Sequence, residues 1–266
     1  MSLAPFGRRL LSVVGIDELG AYRVLRVDDE GPTAEPGQFA MIAAERGWGG
    51  GEEQRPYLAR AFSLARQVRG ESHFLLEDVG PASRRLCALG PGDGLWVLGP
   101  LGRGFAPPAQ GRRAILLGGG VGIAPLAILQ DRLTAAATTV LLGFRDAARA
   151  EGAALLDGAR VASDDGSVGH HGLVTDLLRE ELAHDGHATV FACGPAAMLE
   201  AVRGICAERK VPAQLALEAG MACGFGACFG CVVPRAGGGY LRVCVDGPVI
   251  DASELDRVEE HAGAPA

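Results

Sequence analysis

The sequence lacks an apolar run long enough to cross a membrane as a helix. Its longest uncharged run, Ala114 to Gln130, is broken by three successive glycines and by Pro125, and it falls short of the roughly 20 apolar residues that a spanning helix needs. The first residues, MSLAPFGRRLLSVVG, pass into an alternating pattern without a small-residue cleavage site, so no signal peptide is predicted. We therefore expect a cytoplasmic protein with no membrane partner.

An excess of positive charge is also missing. The net charge of −7 argues against nucleic acid as a partner. Hydrophobic residues make up 48% of the chain and charged residues 21%, which excludes a disordered chain. A length of 266 residues is enough for two domains, or for one large domain and a smaller module.

The seven cysteines do not form a disulfide framework. Their number is odd, the chain has no predicted signal peptide, and four of them follow a metal-binding pattern, which together indicate a reducing compartment. Cys223, Cys228 and Cys231 have the spacing C-x4-C-x2-C, and Cys244 follows in the strand-like LRVCV. This is the plant-type spacing for a [2Fe–2S] cluster, in which each iron needs two thiolates.

Glycines separate the three clustered cysteines. Gly224, Gly226 and Gly230 keep side chains away from a cluster and leave backbone N–H groups free to point at sulfur. The alternative is a zinc site, but zinc sites usually show two short pairs of ligands, and only one C-x2-C pair is present here. The pattern favours iron and sulfide.

The first part of the chain predicts a small antiparallel β-barrel with six short strands separated by turn residues. A helix with Ser83 as its N-cap is predicted between the last two strands, and Glu45 to Pro56 is predicted to be a surface loop. The predicted strands are Arg9 to Val14, Tyr22 to Val27, Gln38 to Ala43, Ala61 to Ala65, His73 to Asp78 and Gly94 to Leu98.

Two short motifs in the barrel could bind a ligand, although each is weak alone. In RAFS, residues 60–63, strand alternation puts Arg60 and Phe62 on one face; the alternative is a solvated strand edge. VGPAS, residues 79–83, leads into a helix start, where N–H groups can bind phosphate, but every helix has such an end.

After Pro107 and Pro108, strands and helices alternate, which predicts a doubly wound parallel sheet. Pro125 fits the first turn of a helix, where its missing N–H costs nothing. The predicted elements are strands Arg113 to Leu117, Thr139 to Gly143, Arg160 to Ala162 and Thr189 to Cys193, and helices Ala124 to Leu133, Glu151 to Leu156, Val174 to Leu182 and Ala196 to Glu208.

The loop GGGVG, residues 118–122, follows the first of these strands, at the edge where such sheets bind nucleotides. It does not satisfy G-x-G-x-x-G, so it predicts either a dinucleotide loop or a tight packing turn. Cys193 closes a later strand at the same edge and could touch a reacting ring, or act as a small apolar residue.

The remaining cysteines and two histidines are predicted to have no ligand role. Cys87 and Cys206 are predicted to be core residues. His170 and His171 lie in a polar loop and are predicted to be solvated.

With these residues in place, nearly the whole chain resembles the electron-transfer subunit of class 1B dihydroorotate dehydrogenase, within the ferredoxin-reductase superfamily. The resemblance is carried by RAFS, VGPAS, GPLGRGF at 99–105, LGGGVGIAPL at 117–126, DDGSVGHHGLVTDLL at 164–178, CGPAAML at 193–199, and the cysteine segment LALEAGMACGFGACFGCVV with RVCVDGPV. It implies an FAD-binding barrel at 1–108, an NAD-binding α/β domain at 109–210 and a [2Fe–2S] module at 211–266.

The resemblance also implies which residues hold FAD. Arg60 and Ser63 would contact the flavin or its phosphates, Phe62 would lie at the isoalloxazine ring, and Ala61 belongs to the same segment. Leu75, Leu76 and Glu77 form a second segment, and Ala82 and Ser83 would hold the pyrophosphate. Glu77 departs from the basic residue common in relatives and cannot pair with a phosphate. Ala82-Ser83 stands for the usual Gly-Thr.

NAD is implied near Gly120, Gly122 and Cys193. Ser163, Asp164 and Asp165 stand where NADP-using relatives place a Ser-Arg pair, and the acidic side chains would repel a 2′-phosphate. The implied function is electron transfer in pyrimidine biosynthesis, from a separate FMN-containing catalytic subunit through the cluster and FAD to NAD⁺, in a heterotetramer of two chains of each kind.

Two other functions stay open from the sequence. A reductase of the same architecture could serve a different partner, such as a hydrogenase or a ferredoxin. A zinc-binding interaction module without enzymatic activity is the alternative from another class.

Overall fold

The computed structural model describes residues 7–49, 56–133 and 138–258. Six strands between Arg9 and Leu101 form a closed antiparallel barrel, which confirms the sequence prediction. Residues 50–55 of the predicted loop Glu45 to Pro56 lie outside the described residues.

The barrel strands are joined in the order β1-β2-β5-β4-β3-β6. Short alternating segments become strands because each buries one face in the barrel interior, where Leu25, Ile42, Leu76 and Leu95 have no exposed surface. The bounds are β1 Arg9–Leu19, β2 Tyr22–Asp28, β3 Phe39–Ala44, β4 Arg60–Val68, β5 Glu71–Glu77 and β6 Gly94–Leu101, with helix α1 at Pro81–Cys87.

The prediction that Ser83 is the N-cap of α1 was wrong. The helix begins two residues earlier, because Pro81 fits the first turn and Gly80 takes the N-cap position. Ser83 lies inside the first turn, and its Oγ accepts hydrogen bonds from the N–H groups of Val79 and Gly80, both at 3.0 Å.

The second half of the chain forms a seven-stranded sheet in the order β10-β9-β8-β7-β11-β12-β15. Its strands are parallel except β15, which runs antiparallel to β12. The bounds are β7 Arg113–Gly119, α2 Ala124–Leu133, β8 Thr138–Phe144, α3 Ala147–Ala150, β9 Ala159–Ser163, β10 His170–His171, α4 Val174–His184, β11 Ala188–Cys193, α5 Ala196–Arg209, β12 Ala213–Ala216, β13 Val232–Pro234, β14 Tyr240–Arg242 and β15 Val249–Asp251, with 3-10 turns at Gly120–Ile123, Glu151–Leu155 and Ala252–Glu254.

The prediction of a helix at Glu151 to Leu156 was also wrong. The segment is a 3-10 turn that follows the short helix α3, which starts where Asp146 caps the backbone N–H of Arg149 at 2.9 Å. Gly152 in this segment packs against the Tyr22 ring of the barrel, and the contact leaves no room for a Cβ. Because the barrel approaches this closely, the segment forms a 3-10 turn instead of an α-helix.

Part of the carboxyl-terminal segment belongs to the parallel sheet, and part of it forms a separate hairpin. β12 pairs with β11 and β15 pairs with β12, whereas β13 and β14 form a separate hairpin. The boundary predicted at residue 210 therefore precedes two strands of this sheet, and the three-part division stays a prediction.

Apolar side chains join the barrel to the sheet. Tyr22 and Leu75 of the barrel belong to one hydrophobic cluster with Leu116 and Ile123. Barrel residues Phe39 and Met41 belong to a second cluster with Cys231 and Cys244. Among the described residues, no helix is both long and apolar enough to cross a membrane.

Candidate cluster and dinucleotide sites

The four predicted cluster ligands lie at one end of the carboxyl-terminal segment. Cys223, Cys228 and Cys231 are on the loop between β12 and β13, and Cys244 follows β14. Cys231 and Cys244 are buried, whereas Cys228 is exposed. The hairpin β13–β14 brings Cys244 back to the loop, because the backbone N–H of Val243 donates to the carbonyl of Cys231 at 3.0 Å.

The thiols are arranged as two neighbouring pairs. Desolvation raises the pKa of Cys223, but hydrogen bonds from the backbone N–H of Phe225 and Cys228 and from the Cys228 side chain outweigh it and lower the pKa to about 6. Desolvation and then the Cys231 thiol raise the pKa of Cys244 to about 12. The Cys228 thiol thus influences Cys223, and the Cys231 thiol influences Cys244.

Backbone N–H groups point at the sulfur atoms. Gly230 N–H lies 3.4 Å from Cys228 Sγ, and Cys244 N–H lies 3.4 Å from Cys231 Sγ. Such donors stabilise thiolate sulfur, and in a cluster they tune its reduction potential.

The cluster loop packs directly on the barrel. Gly224 has φ +80°, and a Cβ added there would lie 2.5 Å from Met41 Cγ on β3. Glycine is required for both reasons, since other residues are strained at this φ and would collide with the methionine. The loop therefore approaches the barrel as closely as backbone atoms allow.

These residues fit a two-iron cluster. Within the described ranges, no group of three or more His, Cys, Asp or Glu side chains could hold a metal ion, but four thiols are the number that the two irons of such a cluster need. The N–H donors add the hydrogen bonds that thiolates need in a partly buried loop.

The RAFS segment lies beside this loop. It begins β4, where Ala61 pairs with Met41 and Phe62 with Ala40 across the β3–β4 ladder. The four residues are half-buried, and the Arg60 guanidinium donates to the carbonyl of Leu58 at 2.8 Å. Because Met41 also contacts the cluster loop, the structure brings the predicted flavin strand and the predicted cluster ligands together.

The second predicted FAD segment is mostly buried. Leu75 and Leu76 are 2% and 0% exposed, so their side chains belong to the hydrophobic core. Glu77 forms an ion pair with Arg149 of α3, whose Nε and Nη2 both lie 2.8 Å from Glu77 Oε1. The Arg149 guanidinium also binds Asp146 at 2.6 Å.

Ala82 and Ser83 lie in the first turn of α1. Ala82 is half-buried, and the Ser83 hydroxyl is engaged within the turn, where it also donates to the carbonyl of Gly80 at 3.1 Å. A ligand that contacts this hydroxyl therefore competes with its hydrogen bonds inside the turn.

The carboxyl edge of the parallel sheet brings the predicted NAD residues together. A Cβ added at Gly122 would lie 2.5 Å from the carbonyl oxygen of Cys193. Gly120 has φ +55° and is half-exposed, whereas the Cys193 side chain is 3% exposed, and desolvation raises the pKa of its thiol. The loop after β7 and the loop after β11 therefore touch and form one side of the predicted NAD site.

The acidic residues predicted to exclude NADP directly follow strand β9, which ends at Ser163. Ser163 is buried and its hydroxyl donates to the carbonyl of Val168 at 2.7 Å. Asp164 and Asp165 are exposed, and hydrogen bonds from Ser167 lower the pKa of Asp165. Two carboxyl groups thus face solvent at this edge.

The cysteines and histidines predicted to have no ligand role lie either in the core or near the surface. Cys206 is 2% exposed within the core, and Cys87 is half-buried at the end of α1. His171 is exposed, and His170 Nε2 lies 3.7 Å from a carboxyl oxygen of Asp176.

Sequence reasoning missed two charged residues at these sites. Arg149 pairs with Glu77 from 72 positions away, and no local pattern indicates such a pair. Glu218 lies two residues after the end of β12, at the same sheet edge as Cys193. Its place after a strand and before the cysteine loop is the one signal that could have found it.

Comparison with known proteins agrees with this architecture. Residues 218–256 match the family model described as the iron–sulfur cluster binding domain of dihydroorotate dehydrogenase B. A solved structure of an NADH-dependent reduced ferredoxin–NADP oxidoreductase has a TM-score of 0.77 and 26% identity, and the match covers 95% of this chain and 91% of that one. A ferredoxin NADP⁺ reductase from Neisseria gonorrhoeae, solved with FAD and NADP, shares the fold at a TM-score of 0.61 and 14% identity, over 76% of this chain and 91% of the other.

The fold and the cysteine segment define a ferredoxin-reductase-type oxidoreductase with its own iron–sulfur domain. Two relatives are each named dihydroorotate dehydrogenase B (NAD(+)), electron transfer subunit. The one from Geobacillus thermodenitrificans is 40% identical over 83% of this chain and 86% of its own. The one from Desulforamulus reducens is 33% identical over 94% of this chain and 97% of its own. The chain belongs to this family of electron transfer subunits.

Proposed function

We propose that the chain transfers electrons from dihydroorotate oxidation to NAD⁺ for pyrimidine biosynthesis. The electrons enter at a [2Fe–2S] cluster and leave at NAD⁺, with FAD between them. A cluster moves single electrons and NAD⁺ accepts a hydride, so bound FAD supplies the conversion between one-electron and two-electron transfer.

The contact between the cluster loop and the barrel is the observation that carries this proposal. Gly224 packs on Met41, and Met41 pairs with Ala61 of the RAFS segment. Cys223, Cys228, Cys231 and Cys244 would hold the two irons. A short route from these thiols to the flavin strand is what an electron-transfer chain requires.

For FAD, Arg60, Phe62 and Ser63 would hold the flavin and its phosphates from β4, with Ala61 contributing backbone. Leu75 and Leu76 are buried, so they would offer backbone groups only. Ala82 and Ser83 would present N–H groups to the pyrophosphate. Glu77 binds Arg149 and would serve the FAD site by holding the α/β domain against the barrel.

For NAD, Gly120 and Gly122 would let the dinucleotide approach the backbone, and Cys193 would lie at the nicotinamide end. The exposed carboxyl groups of Asp164 and Asp165 support a preference for NAD over NADP, because they would repel a 2′-phosphate.

The electron donor would be a separate catalytic subunit that contains FMN, in a heterotetramer of two chains of each kind in the cytoplasm. Apolar surface beside the cluster supports such a partner: Phe229, between two ligands, is 60% exposed, and Tyr240 of the hairpin is 72% exposed. Exposed aromatic residues are enriched at protein interfaces. We also propose the division into units 1–108, 109–210 and 211–266.

An anaerobic spectrum with iron, sulfide and flavin analysis tests the proposal, with the chain co-expressed with its catalytic partner. Cys228→Ser should remove the iron–sulfur absorption and leave flavin bound, because the two sites use different parts of the chain. Cys87→Ser, a half-buried cysteine outside the loop, is the control and should keep both. A colourless protein that contains zinc would disprove the redox function.

A second candidate is a reductase of the same architecture that serves a ferredoxin. The similarity to the ferredoxin–NADP oxidoreductase structure favours it, at 26% identity. Co-purification with an FMN protein, and NAD⁺ reduction that depends on dihydroorotate, would support the first function. Activity with ferredoxin alone would support the second.

A further inference from the structure

Two histidines at the edge of the parallel sheet take no part in the proposed function. His170 and His171 form the short strand β10, which pairs with β9 so that His171 lies beside Ser163. Strand β9 ends at Ser163, and the exposed residues Asp164 and Asp165 follow it directly. These two aspartates are the residues proposed to keep a 2′-phosphate out of the dinucleotide site. The sheet therefore places His171 next to the groups that would set the choice between NAD and NADP.

The His171 ring packs on the turn that follows these aspartates. A Cβ added at Gly166 would lie 2.8 Å from Cγ of His171 and 3.0 Å from its Nδ1, and Gly166 has φ +72°. The turn is closed by its own hydrogen bonds, because the N–H groups of Gly166 and Gly172 donate to the carbonyl of Ser163 at 3.2 Å and 3.1 Å. This contact holds the ring against the turn, while the side chain stays exposed to a ligand.

The negative charges nearest to His171 in the chain are not compensated. The charged and titratable side chains of the neighbouring elements are Arg145, Asp146 and Arg149 after β8, Asp164 and Asp165 after β9, His170 on β10, and Asp176 and Arg179 on α4. Asp146 pairs with Arg149, and Asp176 pairs with Arg179. Among the described residues, neither Asp164 nor Asp165 has an ion-pair partner. A positive charge on His171 would therefore act on two carboxylates that no arginine neutralises.

We propose that His171 makes the choice between NAD and NADP depend on pH, an inference that rests on the proposed function. Histidine is the side chain that ordinarily changes its charge between pH 5 and 8. When the ring is neutral, Asp164 and Asp165 repel a 2′-phosphate, and NAD is preferred. When the ring is protonated, its charge offsets part of this repulsion, and its N–H groups can donate to the phosphate. NADP therefore binds better in mild acid, whereas NAD has no 2′-phosphate and is little affected.

The experiment measures the dissociation constants of NAD⁺ and NADP⁺ by calorimetric titration of the oxidised, purified complex at about pH 8 and about pH 5.5. In wild type, we expect the ratio of the NADP⁺ constant to the NAD⁺ constant to fall by about tenfold in acid. A phosphate monoester itself takes up a proton near about pH 6, so part of this fall does not involve the protein. His171→Gln should retain only that part, about threefold.

His171→Lys carries a positive charge that does not titrate in this range. Its ratio should therefore lie about tenfold below that of wild type already at about pH 8 and change little with pH. The dissociation constant of NAD⁺ should stay the same in every variant, which shows that the site is intact.

His184→Gln is the matched control, because His184 is exposed at the other end of α4, and it should keep the wild-type ratio at both pH values. A His171→Gln complex whose ratio depends on pH as strongly as that of wild type would overturn the inference. A His171→Lys complex with the wild-type ratio at about pH 8 would also overturn it. The titrations use no electron donor, so failure of dihydroorotate to reduce NAD⁺ would count against the proposed function, while the ratios would still decide the role of His171.

Discussion

At the residue scale, the barrel contains a histidine that is half-buried beside a carboxylate. His73 Nε2 lies 3.1 Å from Glu71 Oε2, and the Arg26 guanidinium contacts the same carboxylate at 3.2 Å. Desolvation lowers the pKa of His73, and the Glu71 hydrogen bond offsets this only partly. The neutral ring donates its N–H to Glu71, which lowers the pKa of the Glu71 carboxyl.

This histidine should make the fold less stable in mild acid. The pKa of His73 is lower in the folded protein than its usual 6.5, so the unfolded chain takes up the proton first as the pH falls. The stabilisation is complete above the unfolded pKa and is lost as the pH drops through the folded pKa. We expect urea unfolding to show that His73→Gln loses less stability than wild type between about pH 7 and pH 5.

The exposed His184 provides the control for that measurement. His184→Gln should follow the wild-type pH dependence. If wild type and His73→Gln lose stability in parallel, His73 is not responsible.

Single residues also mark how far the sequence could predict the sites. The four cysteines could be recognised because their spacing is local and the chemistry of iron demands it. Arg149 could not, since an ion pair across 72 positions becomes visible only in three dimensions.

At the element scale, two loops at the carboxyl edge of the sheet touch through glycine. Gly122 lies against the Cys193 carbonyl, and a Cβ added at Gly119 would lie 2.7 Å from Met198 Sδ of α5. Parallel strands β7 and β11 are adjacent, so the loops that follow them meet. Their contact fixes the wall of the predicted NAD site.

Gly122→Ala should therefore push the two loops apart. The obstacle is backbone rather than a flexible side chain, so we expect a loss of about 1–3 kcal/mol in the free energy of unfolding, together with weaker NAD binding. Urea unfolding and a fluorescence titration with NADH measure the two effects.

Gly204→Ala in α5 is the matched control, because a Cβ there would meet nothing within 4 Å. Replacing a helical glycine in open space should stabilise the fold by about 0.5–1 kcal/mol and leave NADH binding unchanged. Equal losses in both variants would show that the loop contact has no special role.

Elements were predictable where they were long and regular. Helix α2 has the predicted bounds, Ala124–Leu133, because its apolar pattern and its proline agree. Strands β12 and β15 were missed, as they span Ala213–Ala216 and Val249–Asp251 and depend on pairing with distant strands. Segments of this length carry little periodicity.

At the scale of the whole molecule, the barrel and the sheet meet through both apolar and charged contacts. The order of the two units could be predicted from the change in pattern near Pro107, whereas their relative placement could not, because it depends on side chains from both. Tyr22 is fully buried between them, and the turn after β1 binds α3 through the N–H of Ala21 and the carbonyl of Ala148 at 3.0 Å. The Glu77–Arg149 ion pair spans this same interface.

That ion pair should couple the two units energetically. Its side chains are 17% and 29% exposed, so water screens the interaction only partly. In a double-mutant cycle with Glu77→Gln and Arg149→Gln, we expect a coupling energy of about 1 kcal/mol in urea unfolding. Arg149→Gln leaves the Glu77 carboxylate without its cation, and Glu77→Gln leaves Arg149 with Asp146 as its remaining partner. The double variant should therefore lose less than the sum of the singles.

Charge reversal makes a stricter test of the same pair. Glu77→Arg alone places two guanidinium groups opposite each other, so it should destabilise the interface and weaken FAD retention. Adding Arg149→Glu restores opposite charges and should recover part of the stability, although Asp146 would then face a second carboxylate. The surface pair Arg160–Glu180, with 46% and 57% exposure, serves as the control cycle and should give a smaller coupling. Strictly additive effects at Glu77 and Arg149 would mean that apolar packing alone holds the barrel against the sheet.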